Sequence, residues 1–143
     1  MITIADIMSS PVTTLTTQDT LKTAHDLTRK LGIRHLPVID RESGQLRGVV
    51  TQRTMVAKIL SLLNLYGAGA INEREAATNV MEVAVVDFRQ VNENEPVKSV
   101  ASGFLHNKHG CLPVINEAGA LTGIVTSSDF VKLSLSLLEQ VDP

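Results

Sequence analysis

Three hydroxyls and a carboxylate follow one another where an apolar run meets a helical pattern, at Thr126, Ser127, Ser128 and Asp129. Unpaired backbone N–H groups and the helix dipole favour an anion at the start of a helix. A threonine hydroxyl can donate to a phosphate oxygen, and a carboxylate can accept two hydrogen bonds from a vicinal diol. These residue types therefore suit a sugar phosphate. Plain capping of the helix by serine or aspartate is the alternative interpretation.

A second stretch of the same kind lies in the first half of the chain. There Thr51 keeps the hydroxyl, Thr54 stands where the other stretch has Asp129, and Arg53 adds a positive charge. A single hydroxyl cannot accept from both groups of a diol as an ionised carboxylate does. Arg53 either contacts a phosphate or is a solvated side chain on the first helical turn. This stretch predicts a weaker or altered site.

The other chemistry-bearing residues give little support to catalysis. His106 and His109 lie three positions apart, a spacing that could place two ligands on one helical turn, but a third ligand is not evident. An exposed helix end explains this pair better. His25 and His35 are isolated. Because no nucleophile–base arrangement or carboxylate pair is found, the sequence predicts a binding protein that needs no metal or cofactor, not an enzyme.

The two hydroxyl-bearing stretches belong to an internal repeat. Leu36-Pro37-Val38-Ile39 recurs as Leu112-Pro113-Val114-Ile115, and Gly48-Val49-Val50-Thr51 recurs as Gly123-Ile124-Val125-Thr126. Upstream, Ile7-Met8 is matched with Val80-Met81, which leaves about three extra residues in the second copy. We expect repeats at 2–65 and 79–140 that pack against each other, joined by a polar, Gly/Ala-rich linker at 66–78.

Each repeat predicts the order strand, helix, strand, strand, helix. The first strand is expected at Val12–Leu15, and the helix after it is expected to be capped by Asp19 and closed by Gly32. In the second repeat Asn94 is the candidate N-cap, with Pro96 tolerated in the first turn. The other strands are expected at 33–40, 46–50, 110–115 and 121–125, and the last helix of each repeat at 54–65 and 129–140.

Composition restricts the function classes. Apolar residues make up 43% of the chain but aromatic residues only 3%, which leaves few rings to stack on single-stranded nucleic acid. Eight basic and five acidic residues give residues 1–72 a charge of +3, whereas five basic and ten acidic residues give 73–143 a charge of −5. This asymmetry is either ordinary surface variation or a more cationic ligand cleft in the first half. We expect no nucleic-acid partner.

Cysteine usage and hydropathy favour the cytoplasm. Cys111 is the only cysteine, so no internal disulfide can form and a reducing compartment is favoured. No apolar run reaches the length of a membrane span, and no leader with a charged and then apolar pattern opens the chain. We therefore expect a cytoplasmic protein without a membrane partner.

The doubled motif resembles a pair of CBS domains, an arrangement also called a Bateman module. The match covers roughly residues 2–65 and 79–140, nearly the whole chain. The blocks that carry it are Met8, 12–15, 36–40 and 48–51 in the first repeat, and Met81, 112–115 and 123–129 in the second.

The resemblance implies an α/β fold of two βαββα repeats packed with pseudo-two-fold symmetry around ligand clefts. It also implies an adenosine-containing ligand (AMP, ADP or ATP, with S-adenosylmethionine as a further option), a homodimer and an unknown regulated protein. By position, Thr126 and Asp129 correspond to the family's phosphate and ribose contacts. The other implied contacts are Gly110, Cys111, Leu112 and Pro113 in the second repeat, and Thr13, Thr14, Arg34, His35, Leu36, Pro37 and Thr51 in the first.

Two hypotheses from different classes follow. The first is a regulatory module in which a nucleotide favours one packing of the halves, by no more than its differential affinity for the two packings. The second is a structural dimerisation module that has lost ligand binding. In the first repeat, Thr54 favours the structural module. In the second repeat, Asp129 favours the regulatory module. The altered sequence at 83–91 leaves the base contacts of the second site open.

Overall fold

The computed structural model describes residues 1–107 and 110–143. The chain forms two compact units. The terminal unit consists of Met1–Val12 and Arg89–Pro143, and the middle unit consists of Thr13–Phe88. Each unit has one three-stranded sheet with helices. The mixed α/β fold predicted from the repeats is confirmed. The repeat limits at 2–65 and 79–140 remain a prediction.

The elements alternate along the chain as the repeat pattern predicts. The helices are α1 (Ile4–Ile7), α2 (Leu21–Leu31), α3 (Gln52–Tyr66), α4 (Ile71–Ala77), α5 (Val97–Asn107) and α6 (Ser127–Val141). The strands are β1 (Leu15–Thr16), β2 (His35–Ile39), β3 (Leu46–Thr51), β4 (Val91–Asn92), β5 (Cys111–Ile115) and β6 (Leu121–Thr126). Two short 3₁₀ turns, Ala68–Ala70 and Val80–Glu82, flank α4.

The two sheets have the same topology. In the middle unit β2 lies between β1, which runs parallel to it, and β3, which runs antiparallel. In the terminal unit β5 lies between β4 and β6 in the same way. Aliphatic side chains of the two longer strands in each sheet pack against the helix that follows the first strand. They are Leu36, Val38 and Val50 against Leu21 and Ala24, and Leu112, Val114 and Val125 against Val97 and Val100.

The ends of several elements differ from the sequence prediction. Thr20, not Asp19, caps α2, because the Thr20 hydroxyl accepts from the backbone N–H of Thr23 at 3.3 Å. The Asp19 carboxylate accepts instead from the backbone N–H of Thr16 at 2.7 Å, within the turn after β1. Gly32 ends α2 as predicted, with a φ of 66° that favours glycine.

Three further boundaries are corrected. The first strand is Leu15–Thr16, so the predicted start at Val12 was wrong. α5 begins only at Val97, so Asn94 does not cap it; the Asn94 N–H instead bonds Oδ1 of Asn92 at 2.9 Å. α3 and α6 begin directly after Thr51 and Thr126, earlier than predicted.

Each repeat begins with a leading segment, residues 3–9 in the first and 79–85 in the second. This segment packs in the unit that contains the other repeat's strands. Ile4 is fully buried in the terminal unit, in the cluster of Leu112 and Val114, and Ser9 exchanges two backbone hydrogen bonds with Ile124. In the middle unit the corresponding residues are Val80, which is also fully buried, and Val85, which exchanges two such bonds with Val49.

This equivalence corrects the match of Ile7-Met8 with Val80-Met81. The backbone N–H of Thr3 donates to Asp6, and the backbone N–H of Asn79 donates to Glu82 in the same way. Ile4 therefore corresponds to Val80, at a constant spacing of 76 positions that leaves no extra residues in the second copy.

The segment at 66–78 is mostly helical. Its helix α4 lies against α2 and α3, and Ile71 packs on the core of the middle unit. Among the described residues, no single helix is both long and apolar enough to cross a bilayer. α3 together with residues 68–77 meets that criterion only as a pair, and the pair is bent by 115°.

Candidate functional site

One edge of the terminal sheet brings together the residues that the sequence singled out in the second repeat. β5 begins where β6 ends, because Cys111 is the register partner of Thr126, and α6 starts at the next residue. Leu112 and Pro113 are buried and present almost no surface to a ligand, while Gly110, Ser127 and Ser128 are exposed.

Asp129 lies in the first turn of α6 and is only 3% exposed. Its Oδ2 accepts a hydrogen bond of 2.8 Å from the backbone N–H of Thr126. This bond is the helix-capping arrangement that was the alternative interpretation of the sequence. Capping uses one oxygen of the carboxylate, and each carboxylate oxygen can accept more than one hydrogen bond.

Ser9 bonds the other oxygen of the same carboxylate. The sequence did not predict this contact. The Ser9 hydroxyl donates to Oδ1 of Asp129 at 2.8 Å. The contact follows from the placement of the leading segment beside β6, where the Met8 side chain lies against Gly123. A Cβ at Gly123 would overlap Met8, so glycine is required for this close approach. In the sequence, only the constant spacing of 76 positions between the two leading segments could have indicated that Ser9 lies beside Asp129.

Two pockets open beside these elements of the terminal unit. One, of about 230 Å³, is lined by Asp129, by Asp6 and Ile7 of the leading segment, and by Lys132, Leu133 and Ser136 of α6. The other, of about 200 Å³, lies between α5 and the residues before β4, and its lining includes Arg89, Gln90 and Ser99. Arg89 and Gln90 precede β4 as Thr13 and Thr14 precede β1. This second pocket falls in the altered region whose base contacts the sequence left open.

The middle unit gathers its predicted residues at the equivalent edge. His35 is the register partner of Thr51, and the backbone N–H of Gln52 donates to the carbonyl of Arg34 at 2.8 Å. Because β1 runs parallel to β2, Thr13 and Thr14 precede β1 at the edge where β2 begins. Leu36 and Pro37 are fully buried and present almost no surface to a ligand.

The hydroxyls of Thr51 and Thr54 bond each other at the start of α3. The Thr51 hydroxyl accepts from the Thr54 backbone N–H at 3.1 Å, and the two side-chain oxygens lie 3.1 Å apart. Both hydroxyls therefore serve as a reciprocal helix cap. Arg34 and Arg53 are exposed near this edge and form no ion pair with any residue that the structure describes. The middle unit thus offers cations where the terminal unit offers a carboxylate.

Burial sets the protonation of two residues at these edges. Desolvation, with a smaller effect of the Arg34 charge, lowers the pKa of His35 from its ordinary value of 6.5. Burial raises the pKa of the Cys111 thiol to about 11. At neutral pH the imidazole is therefore uncharged and the thiol protonated, so both can contact a ligand only as neutral groups.

The histidine pair considered as a metal site finds no support in the described residues. The ring of His106 lies 3.0 Å from the carbonyl oxygen of Ser102, within its own helix, and His109 lies outside the described residues. No group of three or more metal-ligating side chains occurs in residues 1–107 and 110–143.

Comparison with known proteins gives one family and several relatives that match nearly the whole chain. The model of the CBS domain matches residues 4–61 and 80–136. A crystal structure of a putative acetoin utilization protein (AcuB) from Vibrio cholerae is 34% identical, with a TM-score of 0.82 over 97% of this chain and 94% of that one. A CBS domain-containing protein of Dictyostelium discoideum is 28% identical over 98% of this chain and 96% of its own length.

A further similar structure was solved with two ligands bound. The CBS domain pair of protein MJ0100, in complex with 5′-methylthioadenosine and S-adenosyl-L-methionine, is 26% identical, with a TM-score of 0.72 over 95% of this chain and 98% of that one. Three other curated relatives, two of them named as enzymes, are longer proteins of which this chain spans 22% to 25%.

Proposed function

Because the chain belongs to the CBS domain family, we propose that it is a regulatory module that binds an adenosine nucleotide and acts on a partner protein. The observation that carries the proposal is the edge of the terminal sheet, where Asp129 lies beside the N-terminus of α6. The relative solved in complex with two adenosine compounds supports the ligand class. AMP, ADP and ATP are our first candidates, with S-adenosylmethionine as the alternative.

In the terminal unit the proposed role of Asp129 is to accept the ribose hydroxyls. The carboxylate is nearly buried and already holds the Ser9 hydroxyl and the Thr126 N–H. A diol must therefore share Oδ1 with Ser9 or displace it. The exposed hydroxyls of Ser127 and Ser128, together with the α6 dipole, suit a phosphate.

In the middle unit the proposed contacts are cationic. Arg34 and Arg53 carry positive charge close to the N-terminus of α3, where a phosphate is also favoured. Thr54 replaces the carboxylate and its hydroxyl is already bonded to Thr51. We therefore expect this unit to recognise phosphate rather than ribose and to discriminate poorly between ribose and deoxyribose.

A calorimetric and thermal-shift series tests the proposal. AMP, ADP, ATP and S-adenosylmethionine are each added at about 100 times their dissociation constant, where binding stabilises the fold by about 2.7 kcal/mol. Asp129→Asn keeps the shape of the side chain and should remove the preference for AMP over 2′-deoxy-AMP. Thr54→Val is the matched control and should leave that preference unchanged. The reverse result would refute the site assignment.

The competing proposal is a structural dimerisation module without ligand. It predicts that none of the four compounds raises the melting temperature, and that result would exclude the sensor function. Dimerisation itself is compatible with both proposals. It is supported by apolar side chains exposed at equivalent positions of the two long helices, Val56 and Leu60 on α3 and Val131 and Leu135 on α6.

The homodimer has its own test. We expect Leu60→Glu combined with Leu135→Glu to convert a dimer into a folded monomer, as measured by light scattering after size exclusion. A monomeric wild-type protein would overturn the dimer. We further propose a reducing compartment such as the cytoplasm, supported by Cys111 being the single cysteine, so that no internal disulfide can form.

A further inference from the structure

The middle unit covers the groove between its two long helices with α4. Ile71 of α4 packs against the hydrophobic cluster of this unit, and Leu62 on α3 is left only 6% exposed. α4 lies against both α2 and α3. This groove is therefore a receptor for a short amphipathic helix, and the chain supplies that helix itself.

Two polar contacts hold α4 in the groove. Glu75 is only 4% exposed. Its Oε1 lies 2.7 Å from Nδ1 of His25 on α2. The guanidinium of Arg74 stacks over the ring of Tyr66 at 3.6 Å, at the end of α3. The helix is thus fixed by one apolar side chain and two polar ones, at spacings of i, i+3 and i+4 that share one helix face.

The terminal unit has the same two helices, α5 and α6. Leu137 stands on α6 where Leu62 stands on α3, but it is 44% exposed. In its described part this unit has the helices α1, α5 and α6, and α1 lies beside the first half of α6, at Asp129, Lys132, Leu133 and Ser136. No described helix of this unit takes the place of α4.

The uncovered face differs in chemistry from its covered counterpart. Ala101 stands in place of His25, and Val141 stands in place of Tyr66. Between them the rings of Phe104 and Phe130 pack at a centroid distance of 4.9 Å. Both positions that hold polar groups of α4 in the middle unit are therefore apolar here. We call these residues, together with Leu137, the α5–α6 face.

We propose that the α5–α6 face binds an amphipathic helix of a partner protein, in the position that α4 occupies in the middle unit. The partner helix carries apolar side chains at three positions spaced i, i+3 and i+4, since the anchors for Arg74 and Glu75 are replaced by Val141 and Ala101. A second copy of this chain is a poorer occupant, because the exposed residues that recur in both repeats, Val131 and Leu135, lie on a different side of α6. The proposal is independent of nucleotide binding, although it would give the proposed regulatory function its output surface.

A peptide experiment tests the docking site on the whole 143-residue chain. The probe is a fluorescein-labelled peptide with the sequence of residues 68–79 carrying Arg74→Leu and Glu75→Leu, and the unchanged sequence is the control peptide. We expect the leucine peptide to bind at least about tenfold more tightly than the control by fluorescence anisotropy. Leu137→Asp should weaken it by at least about tenfold, whereas Leu135→Asp, at a similarly exposed position of α6, should change it less than about twofold.

Several results would overturn the proposal. They are no binding of the leucine peptide to the wild type, equal effects of Leu137→Asp and Leu135→Asp, or loss of a dimer in Leu137→Asp alone, which would assign the face to a second copy. Circular dichroism and the melting temperature of both variants check their folding, which the exposure of the two leucines favours. The thermal shift with AMP, measured on Leu137→Asp, should be unchanged, so failure of the docking site and failure of nucleotide binding give different results.

Discussion

The hydroxyl of Ser9 and the carboxylate of Asp129 form a 2.8 Å hydrogen bond between residues separated by 120 positions. Because Asp129 is buried, Ser9→Ala leaves one of its oxygens without a partner and should lower the free energy of unfolding by about 1–3 kcal/mol. Urea denaturation measures this loss. Ser10→Ala, which removes an exposed bond to the Thr122 carbonyl, is the control and should change stability by less than about 0.5 kcal/mol. Equal effects would show that the Asp129 contact is not special.

Close packing of Met8 on Gly123 gives a second prediction. A Cβ at Gly123 would overlap the Met8 side chain and lie 3.1 Å from the Ser9 carbonyl oxygen. We expect Gly123→Ala to destabilise the protein by about 1–3 kcal/mol and Met8→Ala to relieve part of that cost in the double variant. Simple additivity in the double-mutant cycle, measured by urea denaturation, would contradict the contact.

The low pKa of His35 predicts a pH dependence of stability. Burial first, and the charge of Arg34 second, lower this pKa from 6.5, so the unfolded chain binds more protons than the fold between the two values. The stabilisation by neutral His35 is fully present above about pH 6.5 and is lost as pH falls through the folded pKa. His35→Gln should therefore flatten the free energy of unfolding between about pH 5 and pH 7.

An NMR titration separates the two causes. Arg34→Ala removes the smaller one and should raise the pKa of His35 only part of the way to its ordinary value. A full return to 6.5 would mean that charge, not burial, is the main cause.

The buried thiol gives a prediction about reactivity. With a pKa of about 11, Cys111 has about 0.1% of its sulfur as thiolate at pH 8. Ellman's reagent should react about 100-fold more slowly with the folded protein than with the urea-unfolded chain, on the difference in thiolate alone. Comparable rates in the two states would show that the start of β5 is open to solvent.

The unit boundaries predict which fragment folds. A fragment of residues 13–88 keeps the whole middle unit, including Val80 and Val83 in its core. A fragment of residues 2–65 ends at the predicted repeat boundary and loses both valines and α4. We expect cooperative thermal unfolding, followed by circular dichroism, for the first fragment only. Cooperative unfolding of 2–65 would contradict the importance of the leading segment for the core.

Much of the fold could be predicted because it depends on local patterns. The apolar runs around Leu36 and Leu112 are buried strands, and Gly32 ends α2, since hydrophobic periodicity and left-handed backbone leave traces in the sequence. The N-cap was misassigned by one residue because Asp19 and Thr20 are both good capping residues, and only the turn geometry decides between them.

The partners of the leading segments could not be predicted in the same way. Whether Ile4 packs with the strands of its own repeat or those of the other depends on tertiary contacts, since its hydrophobicity fits either core. The same holds for Ser9, whose role follows only from that placement. For the candidate site, the sequence identified the residues at each edge, but not that Asp129 already holds two hydrogen bonds.

The exchanged leading segments also set the order in which the protein can be completed during synthesis. The middle unit is continuous, so all its residues are synthesised before most of the terminal unit. Residues 1–12 can fold only when the strands of 89–143 have been synthesised. At about 5–20 residues per second, this synthesis takes on the order of ten seconds. Throughout that time Ile4 and Met8 have no core to enter, and the nascent chain exposes the segment that later encloses Asp129.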